Sequence, residues 1–312
     1  MSNLTIDQFY ETQFGQNWQH LVQQGEGRIH DMVRQETVKG KRKLLNFIGK
    51  SKARLITTRN GKTIPSNTPM AKRKLALRPY DEVYLEDEWD KDLLGDISSP
   101  RSSVVESHSM AFKRLFDETV IQASIGTAYI GEDGEIPVDL PDTQKVPVNY
   151  THGNPQGSGN PTGLTLAKII RAKSILGKNE VYGQSKSKNG EMLVWICSQQ
   201  QLDDLLINVD EVANSRYADV KALVSGEVNH FMGFEFIRTE LCPHDTATDI
   251  RTNIAMVTSG VAFSKNGLAT KFSVRDDLNE SLQVRTKARC GAVRTEEEKV
   301  VAIYCDESPV TT

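Results

Sequence analysis

S-S-P-R-S-S-V-V-E-S-H-S-M-A-F-K-R-L-F-D-E-T-V-I-Q-A-S-I-G, from Ser98 to Gly126, reads as one unusually long helix. Ser99 is placed to cap it, and Pro100 suits a first turn, where its missing N–H has no helical partner to lose. Ser103 and Glu106 repeat the start signal just inside, at capping-box spacing. Val104, Ala111, Leu115, Thr119 and Gln122 trace one face, which Val105, Phe112, Phe116 and Ile121 widen. Gly126 is the residue type that ends helices in the left-handed conformation. At 1.5 Å per residue such a rod is roughly 35–40 Å long, enough to cross a domain. The chain before it has the character of an arm, and the chain after it that of a body.

Working outward, the 312 residues allow about two domains. Hydrophobic residues make up 38% and charged ones 25%, the balance of a folded chain rather than a disordered one. No apolar run approaches the ~18 residues of a membrane helix. The N-terminus M-S-N-L-T-I-D-Q-F-Y lacks the basic-then-apolar order of a signal peptide. A net charge of −3 argues against a dedicated nucleic-acid binder. Cys197, Cys242, Cys290 and Cys305 form no C-x-x-C and read as reduced, half-buried small residues of a cytosolic product. Charge is unevenly distributed. Lys39 to Arg78 is basic, with the clusters Lys41-Arg42-Lys43 and Lys72-Arg73-Lys74, whereas Asp81 to Asp96 is acidic. A solvated surface is the plain reading. Adjacent blocks of opposite sign also suit a basic arm of one copy lying on an acidic patch of another.

Residues 1–33 read as helical and amphipathic, with Phe9, Phe14, Trp18, Leu21 and Val22 as apolar anchors. Residues 34–96 lack a helical period. V-K-G-K-R-K-L-L-N-F-I-G and K-R-K-L-A-L-R-P-Y-D-E-V-Y-L-E-D read as two strands of a ribbon, with Asn60-Gly61 as its turn signal. Such a ribbon is marginal alone and needs a partner surface. Beyond the long helix, Leu164–Leu176 reads as a helix ended by Gly177, M-L-V-W-I-C as a strand buried on both faces, and Ser198 as the cap of the next helix. Tyr217–Ser225 reads as a further helix. F-M-G-F-E-F-I-R, I-A-M-V, V-A-F-S, F-S-V-R-D, L-Q-V-R-T-K-A-R-C-G-A-V-R and K-V-V-A-I-Y-C read as strands. The body is therefore α+β, richest in strands towards its C-terminal end.

Candidate chemistry is thin. The loop from Gly153 to Gly163 has glycines but neither the Gly-Lys-Ser/Thr ending of a phosphate loop nor dinucleotide spacing. A nucleotide-binding enzyme using that loop is the alternative from another functional class. Cys242 and His244 have no second pair at zinc-ligand spacing. Ser198 lacks the flanking glycines of a nucleophile elbow. Glu296-Glu297-Glu298 reads as a turn between strands. No catalytic residue, cofactor or metal is expected, and the chain reads as no enzyme.

The order arm, charged hairpin, long helix, mixed body and terminal strands resembles that of the major capsid proteins of tailed double-stranded DNA phages. Four blocks carry the resemblance in detail: D-E-T-V-I-Q-A-S-I-G-T-A-Y-I-G-E-D-G, G-L-T-L-A-K-I-I-R-A-K, A-D-V-K-A-L-V-S-G-E-V-N-H-F-M-G-F-E-F-I-R-T and G-A-V-R-T-E-E-E-K-V-V-A-I. They are similar to a podovirus-like branch, and the likeness covers most of residues 70–305.

The resemblance implies the Hong Kong 97-type fold. It assigns 1–33 to an N-terminal arm anchored by Phe9, Phe14 and Trp18, and 34–97 to an extended β-hairpin loop. Residues 98–149 become a peripheral domain with its spine helix at 98–126, 150–265 an axial domain, and 266–312 strands returning to both. The implied function is a shell subunit that forms hexamers and pentamers of an icosahedral virion around packaged DNA. The implied partners are a separate scaffolding protein, a portal and, non-specifically, the packaged DNA, with a cement or decoration protein left open, synthesis in the host cytoplasm and no membrane. A nanocompartment shell protein is the structural alternative. Lys41, Arg42, Lys43, Asn60, Gly61, Lys72, Arg73, Lys74, Asp87, Glu88 and Asp90 are the candidate inter-subunit contacts.

Overall fold

The computed structural model describes residues 21–55, 57–59, 61–63, 65, 68–87, 101–152, 157, 159–181, 191–207 and 229–308. Two compact units share them. The smaller draws on the ranges 1–26, 79–114 and 267–289, the larger on 27–78, 115–266 and 290–312.

The long helix is present as α1, Arg101–Ile125. Its buried face is His108, Phe112, Phe116, Val120 and Ser124, at a spacing of four, widened by Asp117 and, as expected, by Ile121. Gln122, expected on the buried face, is exposed. Ser103 and Glu106 lie inside the helix rather than at its start, and residues 98–100 lie outside the described residues. Gly126 is not left-handed. Its N–H bonds the Gln122 carbonyl at 2.8 Å, and a Cβ there would stand 2.7 Å from that same oxygen. Close approach, not a left-handed cap, is what requires glycine.

In the larger unit, β1 (Arg34–Gln35) pairs in parallel with Ala262 and Phe263 of β13 (Val261–Arg275). Residues 21–33, expected helical, run as bends and turns. Strands β2 (Arg42–Ile48) and β3 (Met70–Ala76) form the hairpin, with Arg42 opposite Ala76 and Ile48 opposite Met70. The ribbon is not two-stranded: Arg73 of β3 pairs with Ile130 of β5 (Ala128–Ile130), which pairs with β6 (Ile136–Val138). The second expected strand divides after Ala76, and β4 (Arg78–Glu86) joins a different sheet. Because the ribbon strands end at Ile48 and Met70, Gly61 lies in a long loop, where its N–H meets the Thr58 carbonyl at 3.3 Å.

The main core surrounds a seven-stranded sheet. Its path is β7 (Lys145–Val146), β15 (Val300–Asp306), β12 (Ile250–Val257), β8 (Leu193–Cys197), β10 (Phe234–Arg238) and β9 (His230–Phe231), with β11 (His244–Asp245) on β12. All five β8 residues are buried, as their unbroken apolar run predicts for a strand flanked by β10 and β12. Trp195 meets Phe234 edge-on at 5.3 Å and stacks on Phe236 at 5.7 Å. Met232 and Gly233, at φ 51° and 89°, supply the left-handed pair that a tight β9–β10 hairpin needs.

Helix α2 spans Leu166–Lys178. Thr165 caps it, accepting from the Lys168 N–H, and Gly177 lies inside it rather than at its end. Helix α3, Gln199–Ile207, carries Ser198 at its start, whose hydroxyl accepts from the Gln201 N–H at 3.4 Å. The expected helix Tyr217–Ser225 lies outside the described residues. V-A-F-S and F-S-V-R-D are one continuous strand, β13, followed by β14 (Ser281–Arg294).

In the smaller unit, residues of β13, β14 and β4 lie in that order. His108 sits against this sheet, its Nδ1 at 3.1 Å from the Thr286 hydroxyl. The four cysteines are free and fully buried rather than half-buried. Burial pushes Cys242 and Cys305 up to about 12 and raises Cys197 and Cys290, so all four remain neutral thiols at neutral pH.

Candidate inter-subunit surface

Strand alternation separates the basic clusters by face. Arg42, Leu44, Asn46 and Ile48 of β2 stand opposite Ala76, Lys74, Lys72 and Met70 on the outer side. Lys43, Leu45 and Phe47 stand opposite Leu75, Arg73 and Ala71 on the inner side, where Leu45 and Leu75 join Val38, Leu77, Ala128, Ala262 and Val293 in a small core. Consecutive cations therefore have different roles. Lys43 binds Glu36 at 2.7 Å and the Thr37 carbonyl at 3.2 Å. The Lys43 hydrogen bond, with Arg34 beside it, holds the Glu36 carboxyl below its ordinary value despite burial. Arg73, only 7% exposed, binds Glu297 at 2.5 Å. Lys72 is exposed.

Lys41, Arg42, Lys74 and Ala76 line a shallow depression of about 420 Å³. Lys74 is tethered at its rim, with Nζ 3.3 Å from the Gly134 carbonyl and 6.0 Å from the Tyr129 ring centre. At the far end of the hairpin, the cross-strand pair Ile48 and Met70 is 76% and 81% exposed, and Leu55 is 81% exposed. These apolar residues are a signal that sequence reasoning missed, because alternation alone does not reveal where core cover stops. Asp87 is half-buried just after β4. Asn60, Glu88, Asp90, Phe9, Phe14 and Trp18 lie outside the described residues.

Sequence reasoning also missed the buried polar clamps. Asp117 of α1, fully buried, accepts from the backbone N–H groups of Arg28, Ile29 and His30 at 2.8, 3.1 and 3.0 Å and from His30 Nδ1 at 2.9 Å. Arg294, fully buried, donates to the carbonyls of Ser124, Gly126 and Val138. Lys168 is buried in α2 and donates to the carbonyls of Thr162, Gly163 and Tyr304 at 2.6, 2.9 and 3.0 Å. Glu307 accepts from Ser198, Gln201 and Arg251, and these bonds hold its carboxyl below the ordinary range against the opposing effect of burial.

Asp204 is the exception among these carboxyls. Burial, together with the negative charges of Glu307, Asp203 and Asp306, pushes it up to about 6. Its folded value exceeds its unfolded one, so the stability it contributes is complete below pH ~4 and is lost as pH rises through 6. Asp204 is half-buried, so solvent screens part of this repulsion. Asp204→Asn is expected to be more stable than the native chain at pH 8 by about 1–2 kcal/mol, with the gap closing towards pH 4. Urea denaturation of the unassembled subunit at the two pH values measures this.

Among the described residues, no group of three or more His, Cys, Asp and Glu is placed to hold a metal. His244 instead lies 3.7 Å from Asp249. No helix of the described residues is long and apolar enough to cross a membrane.

The phage capsid protein family model matches residues 6–307. The chain belongs to the phage capsid protein family. No curated protein matches it by sequence. Its fold is similar to solved phage capsids. For the capsid of cyanophage Pam1 the TM-score is 0.72 at 11% identity, covering 98% of both chains. For the capsid of cyanophage P-SCSP1u it is 0.70 at 13% identity, covering 98% of this chain and 96% of that one. For the capsid of Ralstonia phage GP4 it is 0.70 at 11%, covering 97% of each. The protein is thus a capsid protein of a bacteriophage and a structural component of the virion. Its fold is the phage capsid fold, mixed α and β, with three helices among the described residues.

Proposed function

We propose that this capsid protein builds an icosahedral shell of hexamers and pentamers around packaged double-stranded DNA, without enzymatic activity. On this reading the fold divides in the Hong Kong 97 manner. Residues 1–33 are the arm, 34–97 the extended loop that reaches a neighbour, 98–149 the peripheral domain with its spine helix, 150–265 the axial domain, and 266–312 the returning strands. Assembly proceeds on a separate scaffolding protein in the host cytoplasm, and the shell engages a portal and, non-specifically, the DNA. The podovirus-like blocks support kinship with capsids of that branch.

One observation carries the reading: the hairpin's outer face and free end. A hairpin presenting Lys41, Arg42 and Lys74 around one hollow, and Ile48, Met70 and Leu55 bare at its end, displays surface that a neighbouring subunit would cover. Lys43 and Arg73 serve within the chain, so the contact set on this face reduces to Lys41, Arg42, Lys72 and Lys74.

Negative-stain electron microscopy of the protein, alone and with its scaffold, tests the function. Capsomer rings or closed shells are expected, and monodisperse monomer under every condition would overturn the shell reading. The double reversal Lys41→Glu with Arg42→Glu is expected to reduce shell yield at least tenfold while leaving the monomer's far-ultraviolet dichroism unchanged. Normal shells from that variant would remove the hollow from the contact surface and leave the shell function standing.

A further inference from the structure

The far end of the β2–β3 hairpin combines positive charge with bare apolar surface. Residues 49–63 carry Lys50, Lys52, Arg54, Arg59 and Lys62 and no acidic residue. These cations are exposed, and none has an ion-pair partner among the described residues. Ile48 and Met70 form a bare cross-strand pair at the strand ends, and Leu55 is bare in the loop beyond. The apolar part distinguishes a protein partner from a nucleic-acid backbone, whose attraction for such a loop is that of charge alone.

A surface of opposite character lies in the same unit, at the turn between β5 and β6. Gly131 and Gly134 there have φ of 102° and 65°, and the Gly134 N–H bonds the Gly131 carbonyl at 3.3 Å. Lys74 ties the turn down through the Gly134 carbonyl, and a Cβ on Gly134 would stand 2.6 Å from the Lys74 Cβ. A turn held this closely loses little further conformational entropy on docking. It presents Glu132 and Asp133, with Glu135 just beyond, all exposed and without an ion pair among the described residues. Ile136 beside them is 57% exposed. Acidic and apolar residues also meet at the β13–β14 turn, in Asp276, Asp277, Leu278 and Glu280. There Arg275 binds Asp277 at 2.6 Å, so the β5–β6 turn keeps the larger uncompensated charge.

We propose that the hairpin end of one subunit docks on the β5–β6 turn of a second copy. Lys50, Lys52 and Arg54 then face Glu132, Asp133 and Glu135, and the bare apolar residues of the two surfaces cover each other. Within one chain no ion pair joins the two surfaces, so the compensating charge comes from a neighbour. Two unlike surfaces make a head-to-tail contact, which passes from copy to copy and closes rings. Opposite potentials of this kind set register and partner choice and weaken with salt. The proposal rests on the shell-subunit reading and adds which part of the neighbour the hairpin reaches.

Mixed charge reversal is the test, with the full chain and its scaffold. One variant carries Lys50→Glu, Lys52→Glu and Arg54→Glu, and the other Glu132→Lys, Asp133→Lys and Glu135→Lys. Each alone is expected to lower capsomer yield at least tenfold while the monomer's far-ultraviolet dichroism stays native. Mixed in equal amounts, they are expected to regain at least half the native yield. In a six-membered ring of alternating variants every contact again joins opposite charges, whereas a contact within one chain gains nothing from mixing. Native-like assembly of either variant alone, or no recovery on mixing, would overturn the proposal. A loop variant that assembles normally but packages less DNA would reassign the cations to phosphate. Cysteine pairs give a reading independent of charge, since all four native thiols are buried. Asp133→Cys combined with Lys50→Cys, Lys52→Cys or Arg54→Cys is expected to give a ladder of covalent multimers in oxidised capsomers for at least one pair. No ladder for any pair, or a ladder only with Asp277→Cys in place of Asp133→Cys, would overturn the assignment to the β5–β6 turn. Failure of the native chain to assemble would instead count against the shell reading.

Discussion

Replacing Arg294 with methionine is expected to destabilise the subunit by about 3–5 kcal/mol, the range for removing one partner of a buried charged network. In thermal unfolding of the unassembled chain this appears as a melting point lower by roughly 6–15 °C. Arg294 closes the C-terminal end of the long helix. Its Nη1 donates to the Ser124 and Gly126 carbonyls at 3.1 and 2.7 Å, and its Nη2 to the Val138 carbonyl at 3.1 Å. The last carbonyls of a helix have no intrahelical partner, and burying them unsatisfied costs about 1–3 kcal/mol each. Methionine fills the space and satisfies none of the three. Glu297, 3.6 Å from Arg294, keeps its bond to Arg73, so the loss is concentrated at the carbonyls. Arg294→Lys retains one charge without the planar fork and is expected to fall between the two. A methionine variant as stable as the native chain would show that the helix end has other support.

The long helix is legible in the sequence because capping residues, a proline and a run free of breakers coincide between Ser98 and Gly126. The residues that hold it in place are not. Asp117 and Arg294 are charged, and in a sequence charge signals surface; only the backbone groups brought around them in three dimensions make burial favourable. On the buried face, Phe112, Phe116 and Ile121 are legible as apolar residues, whereas His108 and Ser124 are hidden for the same reason, being polar. β13 reads as two strands because Lys265, Asn266 and Gly267 interrupt its apolar pattern, yet the ladder runs on through Gly267 at φ 69°. The basic clusters are visible as a block, but not their division. Adjacent residues on a strand point to opposite faces, so Arg42 looks outward while Lys43 turns to Glu36, and Lys74 looks outward while Arg73 turns to Glu297. The expected helix at the N-terminus fails where it is described because Asp117 captures three successive N–H groups from residues 28–30, donors that a continuing helix would place along its own axis.

That capture leads to the second large effect. Asp117→Ala is expected to cost about 3–5 kcal/mol, because three backbone N–H groups and the His30 ring lose a shared acceptor at once. Asp117→Asn retains one acceptor oxygen and is expected to cost less, about 2–3 kcal/mol. Release should be local before it is global: limited trypsin digestion of the alanine variant is expected to cut at Arg28 at least tenfold faster than in the native chain. The pH dependence separates charge from shape. Burial alone would raise the Asp117 carboxyl, but the His30 ring and the N–H groups of Arg28, His30 and Ile29 together hold it below its ordinary value. A depressed folded value means stability that is complete above the unfolded value near 4 and is lost as pH falls through the folded one. The gap between the native chain and the Asp117→Asn variant should therefore narrow below pH 4. Glu297 and Glu307 are depressed as well, so the native chain alone would not isolate Asp117, whereas the difference between the two chains does. A gap that is flat down to pH 3 would mean that the carboxylate's shape, rather than its charge, holds residues 28–30 to the helix.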